Sequence, residues 1–547
     1  MAVRPGPAAS GPHRRRLPAA GHLRPLPPAR RQRGADGLGV HGTPITVKAE
    51  QEGVTPQEIV DRYHPEFLSY WERLGISFDL FTTTGTEIHY RVAQEFFLKL
   101  LENGHLYRKV TEQFYDEERG QFLPDRYIEG TCPHCSYPNA RGDQCDNCGR
   151  TLDPSDLIDP RSKLTGSTPV LRETEHYYWR LSAFEKQLEE WLLTRKGWRP
   201  HVLNFALGMV RDGLQDRAFT RDLDWGIPIP VDDIGEGKSI YVWWEAVMGY
   251  YSAPQEWAQR QGDPDAWKKW WTDPSAESYY FVGKDNIPFH AVYWPALLMG
   301  HGGLNLPTNV PANQYVTFGG RKASKSMGVG RPLSWYLDRL EPDALRFALA
   351  SVLPEQNDTD LFDDEIVRRV NEELVSTWGN LVNRTLSLTS RNFDGRVPDP
   401  GETRDEDRKL LAAGELAGED RKLLTAVDAA LEEEAAHIEA VELRAGLRTA
   451  LGAAAEVNAY LNATEPWKLV KEDRARAATV LWTAVQAVAG VRVAFAPYLP
   501  FSTEALGEML GIGPVEKWSR PEVPAGTELG EIRPLFAKLD DDALADE

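Results

Sequence analysis

The sequence predicts an α/β catalytic domain built on the Rossmann pattern, with a small metal-binding insertion, followed by an α-helical bundle. Three observations carry this. Segments such as "KSIYVWWEAVMGYY" and "ESYYFVGKDNIPFHAVYWPALLMG" run from a β-rich stretch into a helical one, the alternation of α/β units. All four cysteines fall between 132 and 148. Beyond about residue 355 the strand signals stop and helical patterns continue to about residue 511.

Taken in order, residues 1–40 are mostly Ala, Gly, Pro and Arg, with no lysine and Asp36 as the one acid. They lack the apolar core of a secretory signal and read as a disordered or otherwise aberrant tail. From His41 the texture is that of a folded domain, assigned here to 41–355. "FLSYWERLGI", "EIHYRVAQEFFLKLLENGHLYR" and "SAFEKQLEEWLLTRKG" carry helical spacing, the last two closing at Asn-Gly and Gly stops. An insertion spans 105–220. Its part from 120 to 175 is rich in Gly, Pro, Asp and Cys. The helical domain is assigned to 356–530. There "DDEIVRRVNEELVSTWGNLVNRTLSLTSRNF" sets Ile366, Val370, Leu374, Trp378 and Leu381 on one face. Residues 531–547 form an acidic tail.

The 547 residues carry a formal charge of −20, which disfavours indiscriminate adhesion to nucleic acid or membranes. A nucleic-acid partner must then be met by local basic or aromatic patches. No apolar run approaches the roughly 18 residues of a membrane span, so no membrane partner is expected.

Between 130 and 150, Cys132, Cys135, Cys145 and Cys148 form Cys-x2-Cys, nine residues, Cys-x2-Cys. Four thiolates at this spacing suit one tetrahedral Zn2+ per chain, and with every ligand supplied by protein its role is structural. So few cysteines, so clustered, also suit a reducing compartment. Two unrelated pairs of buried cysteines are the plainer alternative.

"GGRKASKSMGVG", residues 319–330, places two lysines and two serines within Lys322–Ser326, between glycines. It is no Walker loop, since Ser324 stands where that motif has Gly. Two ammonium groups and two hydroxyls suit a triphosphate, whose transfer chemistry rests on positioning and charge stabilisation. A solvated basic loop would carry the same residues.

"KASKS" resembles the KMSKS loop of class I aminoacyl-tRNA synthetases. "HGTPITVKAEQEGVTPQEIVDRYH", "GTCPHC…ARGDQCDNCG", "TRDLDWGIPIP", "YVWWEAVMGYY", "GKDNIPFHAVYWP" and "NEELVSTWGNLVNR" are similar, in order, to the methionyl-tRNA synthetase family. The resemblance implies a cytoplasmic ligase that joins L-methionine to tRNA(Met), using ATP with Mg2+. It implies that Lys325 stabilises the triphosphate in the transition state, with Lys322, Ala323, Ser324 and Ser326 completing the loop and Arg221 near the reacting groups. Trp243, Ala246, Tyr250 and His290 would enclose the methionine side chain. Asp285 is grouped with them and, with Lys284, is expected at a strand end facing the nucleotide. Asn380, Arg384 and Trp467 would read the anticodon. The chain ends without the extra C-terminal barrel that dimerises some relatives, so a monomer is expected.

One departure is large. The family's HIGH motif is absent, and "GLGVHGT" lacks the acids that precede the histidine in the family's "GSDEHGT". A family-like first helix in GC-rich codons, read one nucleotide early, gives approximately the "RRLPAAGHLRPL" found from Arg15 to Leu26. Residues 1 to about 40 are then the right DNA in the wrong frame, regained near His41, and the literal chain is impaired. A genuine N-terminal extension on a degenerate homologue, or a non-catalytic tRNA-binding relative, is the alternative.

Overall fold

The computed structural model describes residues 2–4, 35–123, 127–142, 145, 147–148, 150, 152–322, 330–400 and 418–545. The chain divides into two compact units. Among described residues the first comprises 2–4, 35–67 and 78–312, and the second 68–77 and 313–545.

In the first unit, β1 (Ala2–Arg4), β2 (Ala35–Leu38) and β3 (Leu80–Thr83) come first. β2 and β3 pair in parallel, Ala35 opposite Leu80 and Leu38 opposite Thr83. Helix α1 (Glu87–Glu102) follows. Its N-cap Thr86 accepts from the His89 amide, and it stops at Asn103-Gly104 as the sequence predicts. The insertion is built around a long antiparallel strand pair, β4 (Leu106–Asp116) with β5 (Val170–Trp179). Next come β6 (Thr220–Asp222) and its antiparallel partner β7 (Lys238–Ile240). β7 leads into helix α2 (Val242–Arg260). Strand β8 (Glu277–Tyr279) pairs antiparallel with β1. A five-residue π-helical stretch, Phe289–Tyr293, then opens α3 (Trp294–His301).

Thus strands lie inside the range expected to be aberrant, at 2–4 and 35–38, whereas 5–34, including the "RRLPAAGHLRPL" segment, lie outside the described residues. Aromatic rings dominate the core of this unit. Trp179, Trp271 and Trp294 are buried, with Phe96, Phe97 and Phe219 also enclosed.

The second unit contains a short β-hairpin and a helical bundle. The hairpin turns through Gly319-Gly320, both at positive φ (58° and 70°), as a tight two-residue turn requires. Its second strand ends at Lys322, opposite Thr317. Helix Asp363–Arg369 continues as a π-helix over Val370–Gly379 and then as α4 (Asn380–Asn392). The bundle is completed by α5 (Glu419–Glu439), α6 (Leu443–Thr464), α7 (Pro466–Glu472) and α8 (Arg474–Phe495).

Ile366, Val370, Leu374, Trp378 and Leu381 are all fully buried. Three successive spacings of four overrun a 3.6-residue turn by about 40° each, and the wider i→i+5 turns of the π-stretch absorb the drift. α8 corrects one expectation: it is long and apolar enough to cross a membrane by length and composition. Almost all of it is buried, so it is the bundle's core helix. The stretch expected as an acidic tail is held to the bundle, Phe536 and Leu544 joining its core. The Asn371 side chain donates to the Leu539 carbonyl and accepts from its amide, both at 2.9 Å.

Candidate functional site

α2 organises the first unit's site. Trp243, Ala246 and Tyr250 stand at i, i+3 and i+7, so they share one face of the helix. All three are half-buried. Phe289 stacks on Trp243 with ring centroids 4.4 Å apart. The Tyr250 hydroxyl lies 2.9 Å from His290 Nε2, and His290 Nδ1 lies 2.9 Å from the Asn286 carbonyl. A carbonyl only accepts, so Nδ1 carries the proton. Burial lowers the His290 pKa to about 4, and the ring is therefore neutral. Its bare Nε2 accepts a hydrogen bond from the Tyr250 hydroxyl. The result is an aromatic cluster on one face of α2, with one fixed hydroxyl–imidazole pair and no ionised group in that pair.

Lys284 and Asp285 fall in the 3-10 turn that follows strand Val282–Gly283, with Asp285 exposed at the strand end. Arg221 sits on β6. Its guanidinium stacks over Tyr241 at 4.0 Å and donates from Nη1 to the carbonyls of Ala218 (3.1 Å) and Thr220 (3.0 Å). The next residue, Asp222, is gripped by Lys238 and by His176 Nε2 at 3.0 Å. Burial opposes its charge, but the facing His176 and the Lys238 ammonium outweigh that and lower its pKa.

Sequence reasoning missed a buried cluster on the adjoining face of α2. Glu245, fully enclosed, receives His89 Nε2 at 2.7 Å on one carboxylate oxygen and His41 Nδ1 at 3.0 Å on the other. His41 Nε2 meets Tyr90 OH at 3.0 Å, and His89 Nδ1 meets Ser252 Oγ at 2.8 Å. Desolvation works against the Glu245 charge, yet the two imidazoles hold the carboxyl below its ordinary range. The one signal in the sequence was an acid set inside the apolar run "YVWWEAVMGYY".

The four cysteines converge. Their sulfurs all lie within 4.8 Å of one another, an arrangement able to hold a metal ion. Cys132 and Cys148 are 3.9 Å apart, Cys135 and Cys145 3.6 Å. Asn147 and the Tyr137 backbone hydrogen-bond to Cys135 and lower its thiol pKa to about 6, whereas burial raises that of Cys145 to about 11.

In the second unit, Lys322 is placed by its backbone alone, while Ala323, Ser324, Lys325 and Ser326 lie outside the described residues. Asn380 and Arg384 share a face of α4, Asn380 exposed. Arg384 donates to Asn462 Oδ1 (3.0 Å) and Asn458 Oδ1 (3.1 Å), both on α6. Its guanidinium lies 5.7 Å from the ring of Trp467 on α7, an exposed tryptophan. The structure therefore brings Arg384 and Trp467 together and adds two asparagines.

Comparison with known proteins agrees in both units. The sequence model for class I tRNA synthetases (M) matches residues 34–386, and that for the anticodon binding domain of methionyl tRNA ligase matches 410–546. The methionine–tRNA ligase of Roseiflexus castenholzii is 47% identical over 93% of this chain and 90% of that protein. That of Thermomicrobium roseum is 44% identical at the same coverage. Among solved structures, Mycobacterium tuberculosis methionyl-tRNA synthetase bound by methionyl-adenylate superposes with a TM-score of 0.73, at 25% identity over 92% of each chain. The chain belongs to the methionyl branch of the class I tRNA synthetases, with that family's anticodon-binding domain.

Proposed function

We propose that this chain is a methionine–tRNA ligase working through the residues described above. The methionine carboxylate attacks the α-phosphorus of ATP, pyrophosphate leaves, and methionyl-adenylate forms. A hydroxyl of the terminal ribose of tRNA(Met) then attacks the methionyl carbonyl and AMP departs. The observation that carries the reading is the cluster of Trp243, Ala246 and Tyr250 on one helix face, with His290 bonded to Tyr250, in a chain 47% identical to a methionine–tRNA ligase. A thioether packs well against aromatic edges, and a neutral Tyr–His pair imposes no charge on it. A narrow slot discriminates against branched side chains by shape.

In this reading Arg221 offers its remaining N–H donors to carboxylate or phosphate. Lys325 stabilises the triphosphate, Lys322, Ser324 and Ser326 position the loop and the nucleotide with Ala323 between Lys322 and Ser324, and Asp285 with Lys284 borders the nucleotide. Mg2+ supplies further charge neutralisation on the phosphates when bound. Asn380, Arg384 and Trp467 meet unpaired anticodon bases by hydrogen bonding and stacking. The metal we assign to the cysteines is a structural Zn2+. A tetrahedral site with Zn–S near 2.3 Å sets sulfurs about 3.8 Å apart, and the two measured separations lie on either side of that. A cytoplasmic location keeps those thiols reduced.

The missing HIGH motif bears on the chain as written. The family match begins at residue 34, as it would with a frame error upstream. The literal polypeptide is then impaired, and its frame-restored version is an active ligase. The alternative of a non-catalytic tRNA binder draws no support from relatives that are named as ligases.

Methionine-dependent exchange of labelled pyrophosphate into ATP tests both points. Exchange that is weak in the literal chain and strong after restoration of the frame supports the proposal. None in either, from folded, zinc-loaded protein, overturns it. Lys325→Ala in the restored version should abolish exchange and leave tRNA binding in place.

A further inference from the structure

α2 is weakened where the pocket needs it rigid. Pro254 lies inside the helix and supplies no N–H for the carbonyl of Tyr250, one turn earlier. Gly249, next to Tyr250, is a poor helix former. Around the helix from Trp243, Ala246 and Tyr250 by about a third of a turn runs a second stripe, Glu245, Gly249 and Ser252. The His89 ring is laid along that stripe. Nε2 binds Glu245 at 2.7 Å, Nδ1 binds Ser252 at 2.8 Å, and the ring passes over the bare Gly249, where an added Cβ would stand 4.0 Å from Cε1. One imidazole thus ties two turns of the helix across its weak point. The second Glu245 oxygen is taken by His41, whose ring also packs against Trp225 at 5.7 Å.

We propose that His89, anchored by Glu245, is a positioning residue for methionine recognition: it sets the helical turn that carries Tyr250, and so the Tyr250–His290 pair. It acts through the helix without touching the amino acid. The proposal rests on the methionine reading of the pocket. It goes beyond that reading by assigning selectivity to residues on the adjoining face of α2.

The test uses the full frame-restored, zinc-loaded chain and equilibrium dialysis with labelled methionine, ATP binding measured in parallel. His89→Ala should weaken methionine binding about tenfold while leaving ATP affinity within about twofold. It should also narrow the preference for methionine over norleucine, which replaces the sulfur with CH2. His89→Gln, whose amide can still donate to Glu245, should recover much of the loss. Ser252→Ala removes the far end of the tie with little risk to folding and should give a smaller loss of the same kind. If His89→Ala fails to fold, Ser252→Ala and Glu245→Gln decide. Unchanged methionine affinity and selectivity in the folded variants, or equal losses of methionine and ATP binding, would overturn the positioning role. A parent chain that binds ATP but no methionine would instead overturn the functional reading beneath it.

Discussion

Two buried glutamates, one in each unit, show how differently the same side chain behaves. Glu245 in α2 and Glu434 in α5 are both fully removed from solvent. Glu245 faces two imidazoles and is held below its ordinary pKa. Neither oxygen of Glu434 has a hydrogen-bond partner among the described residues, and burial pushes its pKa up to about 10. The Tyr498 hydroxyl, which shares the neighbourhood of Gly446 with Glu434, donates to the Leu443 carbonyl. α5 and α6 also pack closely there, since a Cβ on Gly446 would come within 2.5 Å of that hydroxyl and 3.5 Å of Glu434 Cγ. Burial alone does not decide protonation; the groups facing the carboxyl do.

The contrast fails if removing the partnered acid is harmless. Glu245→Ala leaves two imidazoles without their carboxylate and should cost about 3–5 kcal/mol of stability, the usual penalty for breaking a buried pair. Hydrogen exchange of the α2 amides would report it.

The unpartnered acid predicts a pH slope. Between about pH 4.5 and pH 10 folded Glu434 keeps its proton and the unfolded chain loses it. The folded state therefore binds more protons, and stability falls as pH rises, by about 1.4 kcal/mol per unit from this group. Exchange protection of α5 at pH 6 and pH 8 should differ accordingly. Glu434→Leu should stabilise the bundle by about 1–3 kcal/mol, since no buried polar group is then left unpaired, and should flatten the slope. A slope that survives this substitution belongs to another residue. The smallest effect is the exposed control. Arg368 pairs with Glu365, Glu372 and Glu373 at 2.8–3.3 Å but is 42% exposed, and Arg368→Ala should change stability by only about 0.5 kcal/mol.

What could be read from the sequence follows the distance over which each feature is encoded. The cysteine cluster spans 17 residues and turns on itself, so its spacing foretold the convergence of the sulfurs. The face Trp243, Ala246, Tyr250 lies within one helix and was accessible through the family resemblance. Glu245, His89 and His41 are separated by up to 204 residues, and only folding brings them together. The π-helical stretch hid behind a pattern that looked α-helical, because spacings of four fit both for a turn or two. Asn458 and Asn462 gave no signal, being ordinary polar positions until Arg384 reaches them.

That last arrangement has a thermodynamic consequence. Asn458 donates through its side-chain nitrogen to the carbonyls of Thr377 (2.8 Å) and Ala454 (3.2 Å), which turns its oxygen towards Arg384. The arginine is thereby ordered before any partner arrives, and the rotamer entropy of a long flexible side chain is surrendered during folding and not during association. In the proposed reading, encounter with an anticodon base then needs no search by that side chain, and binding at this face depends on what the guanidinium meets rather than on whether it can be found.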